Sequence, residues 1–200
     1  AAAFKDCSQL QTVVIPKSLM YIESEAFEGC SSLKHIELNE GLQRLESRAF
    51  FGTGLATVEI PKSLRSIMGN PFEGAQLMEA IYVHRENKHF ISVDGALFKK
   101  DMKILIAFPP QRSGNYVVPE GVEIIGEGAF NGCELTSVTT SSGLKKISVG
   151  AFANCANLLT FAIPDGVEII GECAFIRSGI VTVTISSSVK EIRKYAFYGC

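Results

Sequence analysis

Cysteine and histidine are the residue types in this chain most able to do chemistry, and it has six of the one and three of the other. Thiols could form disulfides or ligate a metal, and imidazoles could act as bases or complete a metal site. The spacing speaks against each of these. Cys7, Cys30, Cys133, Cys155 and Cys200 all stand three residues after a phenylalanine, and Thr53, Ala75 and Ser178 fill the same slot after other phenylalanines. A slot that accepts Cys, Thr, Ala or Ser is a small-residue packing position, where a free thiol behaves as a small hydrophobe. Cys7 with Cys30, or Cys133 with Cys155, would pair only if local geometry permits. Cys173 occupies another slot, two residues before Phe175, where Glu25, Arg48 and Tyr195 stand elsewhere, and it is expected to be the partly exposed thiol. No C-x-x-C occurs, and a ladder of 22 or 23 residues is not a chelate spacing. His84 and His89 flank Glu86 but have no fixed scaffold for a cation, so neither a metal nor a cofactor is expected. The run GEGAFNG (Gly126 to Gly132) imitates a phosphate loop, yet GECAF (Gly171 to Phe175) repeats its frame, which assigns the glycines to a recurring corner. No nucleophile with a nearby base and no G-x-S-x-G, Walker or H-E-x-x-H run is present, so the chain is not expected to be an enzyme.

The elements that position these residues are repeats. Ala-Phe recurs at residues 3, 26, 49, 129, 151, 174 and 196, with Pro71-Phe72 as a variant, and the phenylalanines are spaced 23, 23, 22, 58, 22, 23 and 22 residues apart. Beyond each comes an apolar triplet, such as Leu33/Ile36/Leu38, Leu55/Val58/Ile60 or Leu158/Phe161/Ile163, whose final alternation reads as a short strand. A turn follows, as in Pro61-Lys62-Ser63 or Pro164-Asp165-Gly166, because proline cannot continue a ladder. A second apolar pair, Leu42/Leu45 or Val167/Ile170 for example, leads to the next Ala-Phe. The chain divides into coils 1–15, 16–38, 39–60, 61–83, 119–140, 141–163, 164–185 and 186–200, with an irregular unit at 84–118. A coil of 22 or 23 residues has no core of its own, so it must stack on its neighbours about 4.8 Å away. In the irregular unit, apolar runs at 90–93, 96–98 and 104–108 flank Asp94-Gly95 and predict a small antiparallel meander. It is read as a spacer that changes curvature, or as a protruding binding element entered through Tyr82, His84, Arg85 and His89.

The composition narrows the function classes. With 46% apolar residues among 200, a core can form. Nineteen Lys and Arg against 21 Asp and Glu leave a net charge of -2, too little positive field to hold nucleic acid. The longest apolar run, Ile104 to Phe108, falls far short of the roughly 20 residues of a spanning helix, so membrane insertion is not expected.

The recurring P-x-G/S-V/L-x-x-I-x-x-x-A-F-x-x-C-x-x-L-x-x-V/I-x-I resembles the BspA-like subclass of leucine-rich repeats across nearly the whole chain. The resemblance implies a mainly β leucine-rich-repeat solenoid, a right-handed curved superhelix with a parallel sheet on its concave face. It also implies a cell-surface or secreted protein used in adhesion, and it accommodates the insert, whose S-x-D-G-x-L-F core (Ser92 to Phe98) occurs in such arrays.

Strand residues that flank the middle ladder residue should face outward on the concave side. His35, Glu37, Thr57, Glu59 and Tyr82 would then form an acidic and aromatic patch, and Ser137, Thr139, Thr160, Thr182 and Thr184 a hydroxyl-rich strip. Threonine is also simply a good strand residue on a solvated face. Without tryptophan, and with chiefly Tyr82 to stack on a sugar, this face is expected to take a protein ligand, such as a host extracellular-matrix or cell-surface protein. The rival reading is a structural stalk presenting another domain. The two 15-residue terminal coils carry no polar cap, so the chain is expected to be a piece of a longer array or to associate end to end.

Overall fold

The computed structural model describes residues 1–200. It contains sixteen short strands and no helix: β1 (Tyr21–Ile22), β2 (Arg44–Leu45), β3 (Thr57–Ile60), β4 (Ser66–Ile67), β5 (Ala80–Val83), β6 (Phe90–Val93), β7 (Ala96–Lys99), β8 (Ile104–Ala107), β9 (Ser113–Val117), β10 (Ile124–Ile125), β11 (Glu134–Thr139), β12 (Lys146–Ile147), β13 (Thr160–Ala162), β14 (Ile169–Ile170), β15 (Thr182–Thr184) and β16 (Glu191–Ile192). They build a leucine-rich-repeat β-solenoid in which every coil rests on the next.

The Ala-Phe corners hold the stack. The N–H of Phe4 donates to the carbonyl of Ala26, Phe27 to Ala49, Phe50 to Pro71, Phe130 to Ala151, Phe152 to Ala174 and Phe175 to Ala196, all at 2.7–2.8 Å. The rings stack in parallel with centroids 5.2 Å apart for Phe4 and Phe27, 5.4 Å for Phe27 and Phe50, 4.8 Å for Phe130 and Phe152, and 5.0 Å for Phe152 and Phe175. The corner also explains the phosphate-loop imitation. Two residues before the phenylalanine the backbone is left-handed, at φ 60° for Glu25, 57° for Arg48, 58° for Gly128, 60° for Gly150, 55° for Cys173 and 59° for Tyr195. Glycine adopts that conformation without steric cost, and here it shares the slot with strained L-residues, so Gly128 serves the turn.

The small-residue slot is as expected for Cys30, Cys133 and Cys155, which are buried. Cys30 donates to the Phe4 carbonyl at 3.1 Å and Cys155 to the Phe130 carbonyl at 3.0 Å, so the thiol ties one coil to the preceding one. Cys155 also lies 3.3 Å from the sulfur of Cys133, and that hydrogen bond, with burial, pushes the Cys155 thiol well up. Cys173 is partly exposed as expected, but the packing slot does not bury Cys7 and Cys200, which are exposed because each lies in a terminal coil with a neighbour on one side only.

The sheet arrangement differs from a single ladder of triplet strands. The triplet strands form three separate parallel pairs, β3 with β5, β9 with β11 and β13 with β15, and residues 10–15 and 33–38 form no strand although Leu33, Ile36 and Leu38 are buried. Side-chain stacking keeps those triplets in file without backbone pairing. The longer ladders lie at the second apolar pair. There β1, β2 and β4 run in parallel, and a seven-stranded sheet follows the order β16-β14-β12-β10-β8-β7-β6. Ile22, Leu45 and Ile67 make one inward file, and Leu105, Ile125, Ile147 and Ile170 the other, which Ile192 continues in register while exposed in the last coil.

The meander forms as the Asp-Gly signal predicts: β6 pairs antiparallel with β7 and β7 with β8. The structure adds that 84–118 is a coil with a hairpin inserted into it. Asn87 opens it as Asn39 opens an ordinary coil. Its Nδ2 donates to the carbonyls of Pro61 and Leu64 at 2.7 and 3.1 Å, where Asn39 uses those of Pro16 and Leu19. After the hairpin, β8 rejoins the parallel ladder beside β10, and Ala107-Phe108 makes the missing corner, with Phe108 N–H donating to the Ala129 carbonyl at 2.8 Å. The strand β9 then pairs with β11. The hairpin also divides the interior: Phe90 and Leu97 belong to a core with residues 22–81, and Phe98, Leu105 and Phe108 to a core with residues 116–196.

Candidate ligand-binding face

The alternation of the triplet strands places the expected side chains on the surface. In β3, Thr57 and Glu59 are exposed while Val58 and Ile60 are buried. His35, Glu37, Tyr82, Thr139, Thr160, Thr182 and Thr184 are exposed, and Ser137 is half-buried. Register joins some of them directly: Glu59 stands beside Tyr82, and Thr160 beside Thr182. Adjacent side chains on one face of paired strands lie close enough to contact a ligand together.

The two groups do not form one continuous face. The hairpin folds its Asp94-Gly95 tip against the edge of β5, where Ile81 N–H donates to the Gly95 carbonyl at 2.8 Å and Ser92 Oγ donates to the Ile81 carbonyl at 2.6 Å. A Cβ on Gly95 would sit 3.1 Å from that of Ala80, at a backbone φ of 75°, so a side chain there would be crowded as well as strained. The tip therefore separates Tyr82 and its neighbours from the hydroxyl strip.

Sequence reasoning missed three residues of this surface, all in the coil that the insertion disguised. Asn115 Oδ1 accepts from Ser137 Oγ at 2.8 Å and from Thr136 Oγ1 at 3.3 Å. Val117, 68% exposed, stands beside Thr139. Arg112 lies over the rings of Phe108 and Tyr116, 5.4 and 5.7 Å from their centroids, and donates to the Asp94 carbonyl, pinning the hairpin tip. The signal that could have found them is Ala107-Phe108 itself, 22 residues before Phe130. Below this surface Tyr116 is buried with no partner for its hydroxyl, and burial pushes its phenol up to about 12.

Charge is distributed differently on the ladder face. Lys145 and Lys103 hydrogen-bond Glu123 at 2.7 and 2.9 Å and hold its carboxyl down at about 2. A separate open groove of about 700 Å³ is lined by Lys62, Ser63, Arg65, Glu86, Lys88 and His89. No group of three or more His, Cys, Asp or Glu side chains could hold a metal ion, and no helix is long and apolar enough to cross a membrane.

The family model for the BspA type leucine rich repeat region matches residues 1–104 and 107–200 in six copies. The chain belongs to the BspA-type leucine-rich-repeat family. Among solved structures, this BspA-type chain is similar to a leucine rich cell surface protein from Faecalibacterium prausnitzii, with a TM-score of 0.80 and 27% identity over 99% of this chain and 59% of that one. It also shares its fold with a leucine-rich repeat protein from Eubacterium ventriosum, at a TM-score of 0.84 and 21% identity over 97% of this chain and 59% of that one. The pneumococcal vaccine antigen PcpA gives a TM-score of 0.73 and 24% identity over 87% of this chain and 50% of that one. The chain thus spans about three fifths or less of the length of these relatives. A search of curated proteins finds no match.

Proposed function

We propose that this BspA-type solenoid is a non-enzymatic protein-recognition module of a surface or secreted protein, which adheres to host or neighbouring-cell proteins through its strand face. The observation that carries this reading is the exposed row His35, Glu37, Thr57, Glu59 and Tyr82, mounted on triplets whose inward residues are fully packed. A rigid scaffold lowers the ordering cost of binding, and an exposed tyrosine beside carboxylates supplies an amphipathic anchor with polar partners. The similarity to a protein described as a cell surface protein supports the location. The hydroxyl strip has no comparable anchor, which favours a solvated spacer role for that part of the surface.

The test is binding of the chain to purified extracellular-matrix proteins, with Glu37, Glu59 and Tyr82 replaced together by alanine. Saturable binding should weaken by roughly 30-fold or more, as the loss of an interface anchor of about 2 kcal/mol implies. Unchanged affinity in a folded variant would remove this face from the reading.

A further inference from the structure

The residues just before the second-pair strands form a file along the solenoid, since each donates its N–H to the carbonyl of its counterpart in the preceding coil. Arg65 donates to Gln43, Glu123 to Lys103, Lys145 to Glu123, Glu168 to Lys145 and Lys190 to Glu168, at 2.8–2.9 Å. From residue 103 onward the side chains alternate in sign and neutralise one another: Lys103 meets Glu123 at 2.9 Å, Glu123 meets Lys145 at 2.7 Å, and Glu168 meets Lys190 at 2.9 Å. Opposite charges one coil apart are the rule in that half. The rule fails at Arg65, where the groove beside the irregular unit brings together Lys62, Arg65, Lys88 and His89 with Glu86 as its one acid. None of Lys62, Arg65 and Lys88 takes part in a salt bridge. Lys100 adds a further exposed cation, its N–H donating to the His89 carbonyl at 2.9 Å. In a chain of net charge -2 this is a local positive field held in a concavity, where field lines concentrate.

We propose that this groove binds a sulfated polysaccharide. Its volume of about 700 Å³ exceeds what one inorganic anion fills and falls in the range of ligand sites, and it is open enough for a chain to pass through. Its cations stand on successive coils, which suits anionic groups repeated along a polymer rather than one phosphate held from all sides. No apolar side chain lines it, and His89 is its one ring. It therefore offers neither the row of aromatic platforms that a nucleic-acid strand stacks on nor a pocket for the buried anchor that a peptide ligand uses. Hydroxyl-rich, sulfate-bearing sugars need neither. The site lies on different residues from the strand-face patch, so the two can be lost separately.

Calorimetric titration of the full chain with a heparin tetrasaccharide tests the assignment, with a desulfated tetrasaccharide, inorganic sulfate, polyglutamate and phosphatidylserine vesicles as comparison probes. Binding to the sulfated sugar that weakens as salt is raised is expected, with the other probes bound much more weakly. The K62E/R65E/K88E variant should lose affinity by about threefold per exposed cation and roughly 30-fold together. A K34E/R177E/K194E variant makes the same change in net charge at exposed sites outside the groove and should bind as the original does. Folding of both variants is checked by circular dichroism and thermal unfolding. Absence of binding at low salt, equal loss in both variants, or equal affinity for desulfated sugar, free sulfate, polyglutamate or vesicles would overturn the proposal.

Discussion

Coils 1–83 and residues 103–200 are built from one repeat, yet they have diverged in what they expose. The first half presents carboxylates, an imidazole and a tyrosine on its strand face and an uncompensated cationic groove beside its ladder; the second presents hydroxyls on one side and a charge-paired file on the other. Their interiors hardly differ, with phenylalanine rings stacked 5.2–5.6 Å apart in the first half and 4.8–5.1 Å in the second. In a stacked array the inward positions are fixed by the neighbouring coil while the outward ones are free to vary, so recognition can change without cost to the fold. The hairpin sits between the halves and contributes to both cores, which makes it the joint of the molecule.

The largest expected effects break a core. Truncating buried Phe152 to alanine should cost about 3–5 kcal/mol in chemical denaturation, as large cavities do. Phe4, 43% exposed, should cost clearly less, and the reverse order would contradict the stacked arrangement. Phe90→Ala and Phe98→Ala, also at about 3–5 kcal/mol each, sharpen the division between halves. Hydrogen exchange should rise mainly in residues 22–83 for the first and mainly in 116–196 for the second, because the two rings point into different cores.

A smaller loss, about 2–3 kcal/mol, is expected for Asn87→Ala. That residue is 2% exposed and satisfies the carbonyls of Pro61 and Leu64 and the N–H groups of His89 and Phe90; the alanine would strip the buried Leu64 carbonyl and Phe90 N–H of these bonds, while the Pro61 carbonyl keeps the Leu64 N–H. Thermal unfolding of the variant measures it.

The smallest effect concerns the charge-paired file. Glu123 has its folded carboxyl lowered from 4.5 to about 2, so its contribution is fully present above pH 4.5 and disappears as pH falls towards 2. Glu123→Gln should therefore flatten the acid limb of the stability profile in that window and leave the groove half unchanged. An identical profile would show that the exposed pairs contribute nothing measurable.

Much of this was legible in the residues. The phenylalanine spine, the apolar triplets and the Asp94-Gly95 meander follow from spacing, because a side chain that must stack on its copy 22 or 23 residues away cannot drift in position. The corner at Ala107-Phe108 stayed hidden because the hairpin makes its coil thirteen residues longer than the one that follows, which breaks the period on one side. Period-two alternation also sufficed to put Glu59, Tyr82 and Thr182 on the surface. It did not reveal that the hairpin tip divides them, since contact between Gly95 and Ala80 is a tertiary event with no local pattern. The second, more continuous ladder shows in the sequence only as an apolar pair, because two-residue strands such as Arg44–Leu45 carry too little alternation to register as strands.

Amide hydrogen exchange on Phe152→Ala, read beside its counterpart Phe50→Ala, tests most directly that the molecule has two cores divided at the hairpin. Loss of protection in the first variant should spread through residues 103–200 and stop at the hairpin, with residues 21–83 as protected as before, and the second should give the mirror image. Uniform loss along the whole chain in either variant, or loss confined to the mutated coil, would contradict it.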